Sequence, residues 1–163
     1  MSVRVFVPAD SSALSVGADI VARAIQDEAR RRRLDVEIVR TGSRGLFWLE
    51  PLVEVETFAG RVGYGPVAPG EAAQLFEAGF LSGGAHPKAL GRVDDIPYLA
   101  RQQRLIFARC GLTDPLSLDD YRNHGGLGGL ERALALGPSS PPARARSIAR
   151  SNMAKACGYS ERI

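Results

Sequence analysis

Electron transfer, metal binding and bond cleavage need thiolates, imidazoles, carboxylates or phosphate-binding glycines in the right register, and this chain offers few. It has two cysteines, Cys110 and Cys157, far apart and without Cys-x-x-Cys spacing, so neither a dithiol redox pair nor a metal knuckle is supported. Cys110 follows a helical run and reads as a small buried hydrophobe. The two histidines, His86 and His124, each stand beside a turn in different segments. Asp94-Asp95 and Asp119-Asp120 sit near helix starts, where carboxylates suit the dipole; no substrate cleft argues for paired acid–base work. Gly63-Tyr-Gly65 follows a strand and precedes a helix, as a dinucleotide fingerprint would. Pro66 and Pro69 remove N–H donors that phosphates need, and no following strand ends in a ribose-binding acid. Gly125-Gly-Leu-Gly-Gly129 and Ser82-Gly-Gly-Ala85 read as helix boundaries. No residue is therefore assigned as catalytic, cofactor-binding or metal-ligating, and no cofactor is expected.

Length and charge set the frame. The chain has 163 residues, 45% of them hydrophobic, enough for one domain with a modest core plus an appendage. No apolar run approaches the ~20 residues of a membrane helix, and Met1 to Val7 has no signal-peptide core; a cytoplasmic location is expected. The net charge of +3 is concentrated in residues 139–163, where Arg144, Arg146, Arg150, Lys155 and Arg162 face one acid, Glu161. The body is thus near neutral, and nucleic-acid binding is not expected of it.

The elements follow from periodicity. Val3 to Val7 is a short β-rich run, then Pro8 to Ser12 turns. Ser15 to Arg33 predicts a helix with an Ile20, Val21, Ala24, Ile25 stripe, and Asp27–Arg31 and Glu28–Arg32 as i,i+4 pairs. The run Arg30–Arg33 is a solvated helix end. Leu34 to Val39 is a second strand, parallel to the first because a βαβ crossover of this length requires it. Thr41 to Gly45 is a loop. Leu52 to Glu56 alternates as a half-exposed strand, Phe58 to Gly60 turns, and Arg61 to Tyr64 returns as a hairpin. Gly70 to Leu81 is an amphipathic helix. Beyond Gly91 the pattern becomes helical: Ile96 to Ala108, a short helix capped by Ser117 and running to Asn123, and Gly126 to Leu136. Residues 137–163 have little to bury and are expected to be poorly ordered.

Two stretches resemble a known family. Val7-Pro8-Ala-Asp-Ser-Ser-Ala13 through Gly17-Ala18 is similar to the first cluster-ligand loop of the small thioredoxin-like subunit of NADH dehydrogenases, which carries C-x4-C and then Gly-Ala. Thr41-Gly-Ser43-Arg-Gly-Leu-Phe47 resembles the second loop, Thr-Gly-Cys-x-Gly-x-Cys, and Glu50-Pro51 with Val53 and Val55 matches the strand that follows. Further on, Tyr98 to Pro115 and Ser117-Leu-Asp-Asp-Tyr121-Arg-Asn-His-Gly-Gly126 are similar to the opening of the flavin-binding NADH-oxidising subunit. That order looks like the beta (diaphorase) subunit of soluble NAD-dependent formate dehydrogenases, with the flavoprotein subunits of NAD-reducing hydrogenase and NADH dehydrogenase as relatives. A stand-alone thioredoxin-like interaction module is a further alternative.

The resemblance implies an α/β fold: a thioredoxin-like (ferredoxin-type) domain over residues 1–91, a short all-helical lead-in of the flavoprotein domain over 92–136, and a basic tail over 137–163. Its [2Fe–2S] cluster would need four thiolates. The four positions hold Pro8, Ala13, Ser43 and Phe47, so packed side chains, with Phe47-Trp48-Leu49 as apolar filler, are expected in place of iron. The family's glycine-rich FMN and NADH loop and its late cysteines are missing from this sequence, which leaves the pattern near Gly137; a truncated or frameshifted product is the economical reading. The implied role is structural: assembly with the other subunits of an iron–sulfur and molybdenum NAD-linked oxidoreductase complex through an exposed apolar face, with no membrane or nucleic-acid partner.

Overall fold

The computed structural model of this chain describes residues 2–136, so the expectation for the basic tail lies outside the described residues. These residues fall into two compact units, one through Gln102 and one from Gln103 onward. The first therefore extends past position 91, for reasons given below.

The first unit is built on a five-stranded sheet. Strand β1 (Val3–Pro8) alternates, with Val3, Val5 and Val7 turned to one face and Arg4 and Phe6 to the other. Helix α1 (Ser11–Ser15) is capped by Asp10, whose Oδ2 accepts from Ser12 N at 3.1 Å. Helix α2 (Ala18–Arg31) begins only after Gly17, held at φ 96°. The helix expected from Ser15 to Arg33 is thus interrupted, because that left-handed residue redirects the chain before the apolar stripe starts. Val21, Ala22, Ile25 and Ala29 face the core. Glu28 pairs with Arg31 and Arg32, while Asp27 pairs with Arg30 rather than Arg31. Arg33, at φ 56°, turns the chain, so Leu34 is left exposed and β2 (Val36–Thr41) starts later than expected.

Strand β2 runs parallel to β1 from Val3↔Val36 to Pro8↔Thr41. Strand β3 (Val53–Thr57) is antiparallel to β1, pairing Phe6 with Glu54, and forms a hairpin with β4 (Gly60–Tyr64). Helix α3 (Ala72–Glu77), flanked by 3-10 turns, is shorter than the predicted Gly70–Leu81 span. It packs beside α2 on the same face of the sheet. The core between helices and sheet holds Val5, Val7, Val21, Ile25, Val53, Val55, Tyr64, Leu75 and Phe80. A βαβ unit followed by a β-hairpin and a helix, in strand order β2-β1-β3-β4-β5, is the expected α/β, thioredoxin-like arrangement.

Strand β5 (Ala89–Arg92) was not legible beforehand; it pairs with β4 as Val62↔Arg92, Gly63↔Gly91 and Tyr64↔Ala89. A Cβ on Gly63 would lie 3.0 Å from Val93 Cγ2, so the chain just past β5 closes over the outer face of the sheet. This is why the first unit continues past β5. Helix α4 (Pro97–Ala100) is all that forms of the predicted Ile96–Ala108 helix. Leu105, Ile106 and Phe107 are exposed; with no surface to bury against, a short helix there lacks its main source of stability.

In the second unit, α5 (Leu118–Asn123) is capped as predicted, Ser117 Oγ accepting from Asp120 N at 3.1 Å. Helix α6 (Gly128–Leu136) follows a glycine turn. Turns, not helix, fill most of the stretch from Arg101 to Leu116. Among the described residues no helix is long and apolar enough to cross a membrane.

Candidate functional site

The site suggested by the sequence lies where β1 and β2, being parallel, release their loops at the same end of the sheet. Ala9 N donates to Thr41 O at 2.8 Å, so the ladder extends one step into both loops. Pro8 and Ala13 are buried. Ser43 Oγ donates to Glu50 Oε1 at 2.9 Å and accepts from Gly45 N at 3.0 Å. Phe47 opens a one-turn 3-10 helix (Phe47–Leu49).

A [2Fe–2S] cluster does not fit these residues. Pro8 and Ala13 bring aliphatic carbon and Phe47 brings a ring without a donor atom. Ser43 is the one donor of the four, and its hydroxyl is already engaged with Glu50 and Gly45. Four soft thiolates are what such iron demands. Among the described residues no group of three or more His, Cys, Asp or Glu side chains is placed to hold a metal.

The filling of the loop differs from expectation in which residues do it. Phe47 is 62% and Trp48 58% exposed, whereas Leu46 and Leu52 are fully buried. The chain crosses the outer face of the sheet after β2; Leu46 goes inward, and the tight turn that follows rotates the next two side chains outward. Trp48 then meets Tyr98 edge to face, ring centroids 5.1 Å apart. The turn rests on the end of β4: a Cβ on Gly65 would lie 2.6 Å from Leu49 O, a space no other residue leaves free.

Ionic contacts fasten this loop to the sheet. Arg44 Nε and Nη2 donate to Glu54 Oε1 and Oε2 at 2.9 and 2.8 Å, a bidentate pair in which Arg44 is 6% and Glu54 3% exposed. Arg61 Nη1 adds a contact to Glu54 at 3.4 Å, and its guanidinium lies 3.4 Å from the Phe6 ring centroid. Burial lowers the Arg61 pKa, with the Glu54 charge opposing it. The expectation of a half-exposed β3 is therefore corrected: Glu54 alternates to the outer face, but the returning loop covers that face.

Glu50 is the second fastening. It is 6% exposed, its Oε2 accepts from Leu52 N at 3.0 Å, and its Oε1 takes the Ser43 hydroxyl. Burial pushes its carboxyl above the usual range; the Leu52 and Ser43 hydrogen bonds pull it back, and the Asp10 and Glu54 carboxylates push it further up. Asp10 Oδ1 is shut off from water and has no hydrogen-bond partner among the described residues. Arg44 and Glu54 gain their role from each other, across two elements, which no local pattern encodes; Asp10 by contrast caps α1 through Ser12 N, and Glu50 holds Leu52 N two residues on.

The remaining candidates are accounted for by turns. His86 Nδ1 faces Lys88 N at 3.1 Å, and His124 Nδ1 lies 2.7 Å from Asp120 O. Tyr64 is buried and its hydroxyl donates to Gly84 O at 2.8 Å; Gly65 N donates to Lys88 O. Gly125 N and Gly126 N close the end of α5 onto Arg122 O and Tyr121 O. In the second unit Asp120 Oδ2 accepts from Asp114 N and Asp114 Oδ1 from Leu116 N. These carboxylates shape the wall of a hollow of about 110 Å³ beside Arg109 and Tyr121.

No family model matches the chain, and no curated relative matches it. Among solved structures it is similar to the wild-type thioredoxin-like [2Fe-2S] ferredoxin from Aquifex aeolicus, at 20% identity over 56% of this chain and 98% of that one, with a TM-score of 0.47. A cysteine-to-serine variant of that ferredoxin matches at 22% identity over 55% and 99%, TM-score 0.46. A further structure of a thioredoxin-like [2Fe-2S] ferredoxin from the same organism matches at 19% identity over 54% and 88%, TM-score 0.44.

Proposed function

We propose that this chain is a non-catalytic assembly module of the diaphorase (beta) subunit type, serving an NAD-linked oxidoreductase complex of the formate dehydrogenase kind. One observation carries the reading. The loop that would hold iron in the resembled family instead holds up two exposed aromatics, Phe47 and Trp48, on a base fastened by the buried Arg44–Glu54 pair. A rigid base with apolar, aromatic tips is the form of an interface anchor: ordering costs little on binding, and aromatics dominate hot spots. The matches between residues 98 and 134 and the opening of the flavoprotein subunit support placing the module beside NADH-oxidising machinery. On this reading residues 92–136 are the lead-in to a flavoprotein body, and the partners are the small iron–sulfur subunit and the other subunits of the complex. The electrons travel through those partners, and this chain's residues hold position only.

Co-expression with the subunits of a soluble NAD-dependent formate dehydrogenase, followed by affinity capture through this chain, is the test. Capture of the small iron–sulfur subunit is expected, with loss of several hundredfold in affinity (about 4 kcal/mol) for Phe47→Ser/Trp48→Ser, since removing each hot-spot aromatic costs about 2 kcal/mol. Failure to capture any such subunit, or capture indifferent to the double substitution, would overturn the proposal.

A further inference from the structure

We propose that the open edge of β2 is a pairing surface for a second copy of this chain, the two β2 strands running antiparallel about Ile38 and joining two sheets into one. The inference rests on the sheet alone and stands whether or not the assembly reading holds.

The backbone carries it. β2 ends the strand order, with β1 on its inner side and no strand on its outer side among the described residues. Val3 N donates to Asp35 O and Ala9 N to Thr41 O, at 3.0 and 2.8 Å. Between them the register runs unbroken from Val3↔Val36 to Pro8↔Thr41. Residues that bond a neighbouring strand alternate with residues that turn both N–H and C=O away from it. Glu37, Val39 and Thr41 therefore bond β1, and Val36, Ile38 and Arg40 present their backbone groups to the open side. No backbone partner meets those groups among the described residues. A row of unpaired groups at that spacing is complementary to another extended strand.

The two edges of the sheet differ. β5, at the far edge, has four residues, holds Gly91 at φ 74°, and shifts register against β4 at Gly63/Tyr64. A short, kinked edge resists addition. β2 has six residues and contains no proline, glycine, lysine or bulge. Its one cation does not guard the edge: Arg40 donates back to Val7 O and Pro8 O and pairs with Asp19. With one receptive edge per chain, addition stops at a closed twofold dimer and cannot grow into a filament.

The same residues choose the register. Centred on Ile38, the pair sets Val36 against Arg40 of the second copy, and every outward N–H and C=O exchanges bonds. Glu37, exposed on the outer face, then opposes Val39 of the second copy. Centring on Glu37 instead would set two carboxylates opposite each other, and centring on Val39 would leave Val36 beyond the end of the other strand.

The experiment is residue-resolved amide hydrogen exchange on the full chain at low and high concentration, with sedimentation velocity on the same samples. A dimer is expected at high concentration, with the Ile38 and Arg40 amides slowed about tenfold or more on dimerisation. The Glu37 and Val39 amides, already bonded to β1, should be protected at both concentrations. Two variants test the register. Val39→Glu faces Glu37 of the second copy with a like charge, and Val39→Lys faces it with an opposite one; both place a charge at the same half-buried position. Val39→Glu should dimerise about tenfold more weakly than Val39→Lys, with the difference shrinking in salt. A chain that stays monomeric up to about 1 mM overturns the proposal. So does a dimer whose Ile38 and Arg40 amides exchange at the monomer rate, or equal dimer affinity in the two variants. Protection of these amides only on adding a different protein also overturns self-pairing, and gives the edge to an extended segment of that partner. If the variants do not fold, exchange in the wild type decides alone.

Discussion

Replacing Arg44 with methionine tests whether the loop carrying Phe47 and Trp48 is fastened by the pair it makes with Glu54. Methionine keeps much of the apolar stem and removes the guanidinium. Two charge-assisted hydrogen bonds, at 2.9 and 2.8 Å, are lost. Glu54, 3% exposed in the native fold, keeps the Arg61 ion pair at 3.4 Å. Removing one partner of a buried pair costs about 3–5 kcal/mol. Arg61 offsets part of that, so the loss is set near the lower bound, about 3 kcal/mol. For a unit of this size each kcal/mol is worth roughly 4–8 °C in Tm, which makes a fall of about 12–24 °C. Urea unfolding at neutral pH, followed by Trp48 emission and far-UV circular dichroism, gives the free energy. The companion variant Arg44→Met/Glu54→Leu removes both charges and should recover most of the loss, because an apolar replacement of a buried pair is close to neutral. A single-variant loss below about 1 kcal/mol, the range of an exposed pair, would refute the argument. So would a double variant no more stable than the single one.

Two further outcomes follow from the same geometry. Gly65→Ala should cost about 1–3 kcal/mol through overpacking, since the new Cβ would stand 2.6 Å from Leu49 O; thermal unfolding checks it, and an unchanged Trp48 spectrum would show that the turn does not rest there. Burial lifts the Glu50 carboxyl above its unfolded value, so its charge opposes folding at neutral pH and that opposition disappears as pH falls through the folded value. Glu50→Gln should therefore be more stable than wild type at pH 7, with the difference closing in acid; chemical denaturation at several pH values measures this, and a gap that widens in acid would contradict it.

Much of the architecture was written locally. Val3, Val5 and Val7 alternate, Val21 and Ile25 recur at helical spacing although Ile20, expected on the same stripe, is exposed, and Ser117 stands three residues before Asp120, so strand, helix and cap each follow from nearest neighbours in the chain. The four positions Pro8, Ala13, Ser43 and Phe47 likewise settle by residue type alone that no thiolate cage can form there. Strand β5 has no local signature, because Ala89-Leu-Gly-Arg92 has neither length nor alternation; it is a strand only because β4 offers it an edge. The helix expected through Ala108 failed for the converse reason: its apolar residues have periodicity but nothing to bury against.

What the fold decided was which side of the sheet the loop after β2 would cover. Alternation along β3 says that Glu54 faces away from Val53 and Val55. It cannot say that residues 42–52 return over that face, seal Glu54 beside Arg44, send Leu46 inward and turn Phe47 and Trp48 out. Composition along a strand fixes the direction of each side chain, because the pleat has a period of two. The dielectric surroundings of that side chain, and hence whether its charge is solvated or locked in a pair, depend on chain segments distant in sequence that arrive only when the tertiary structure closes.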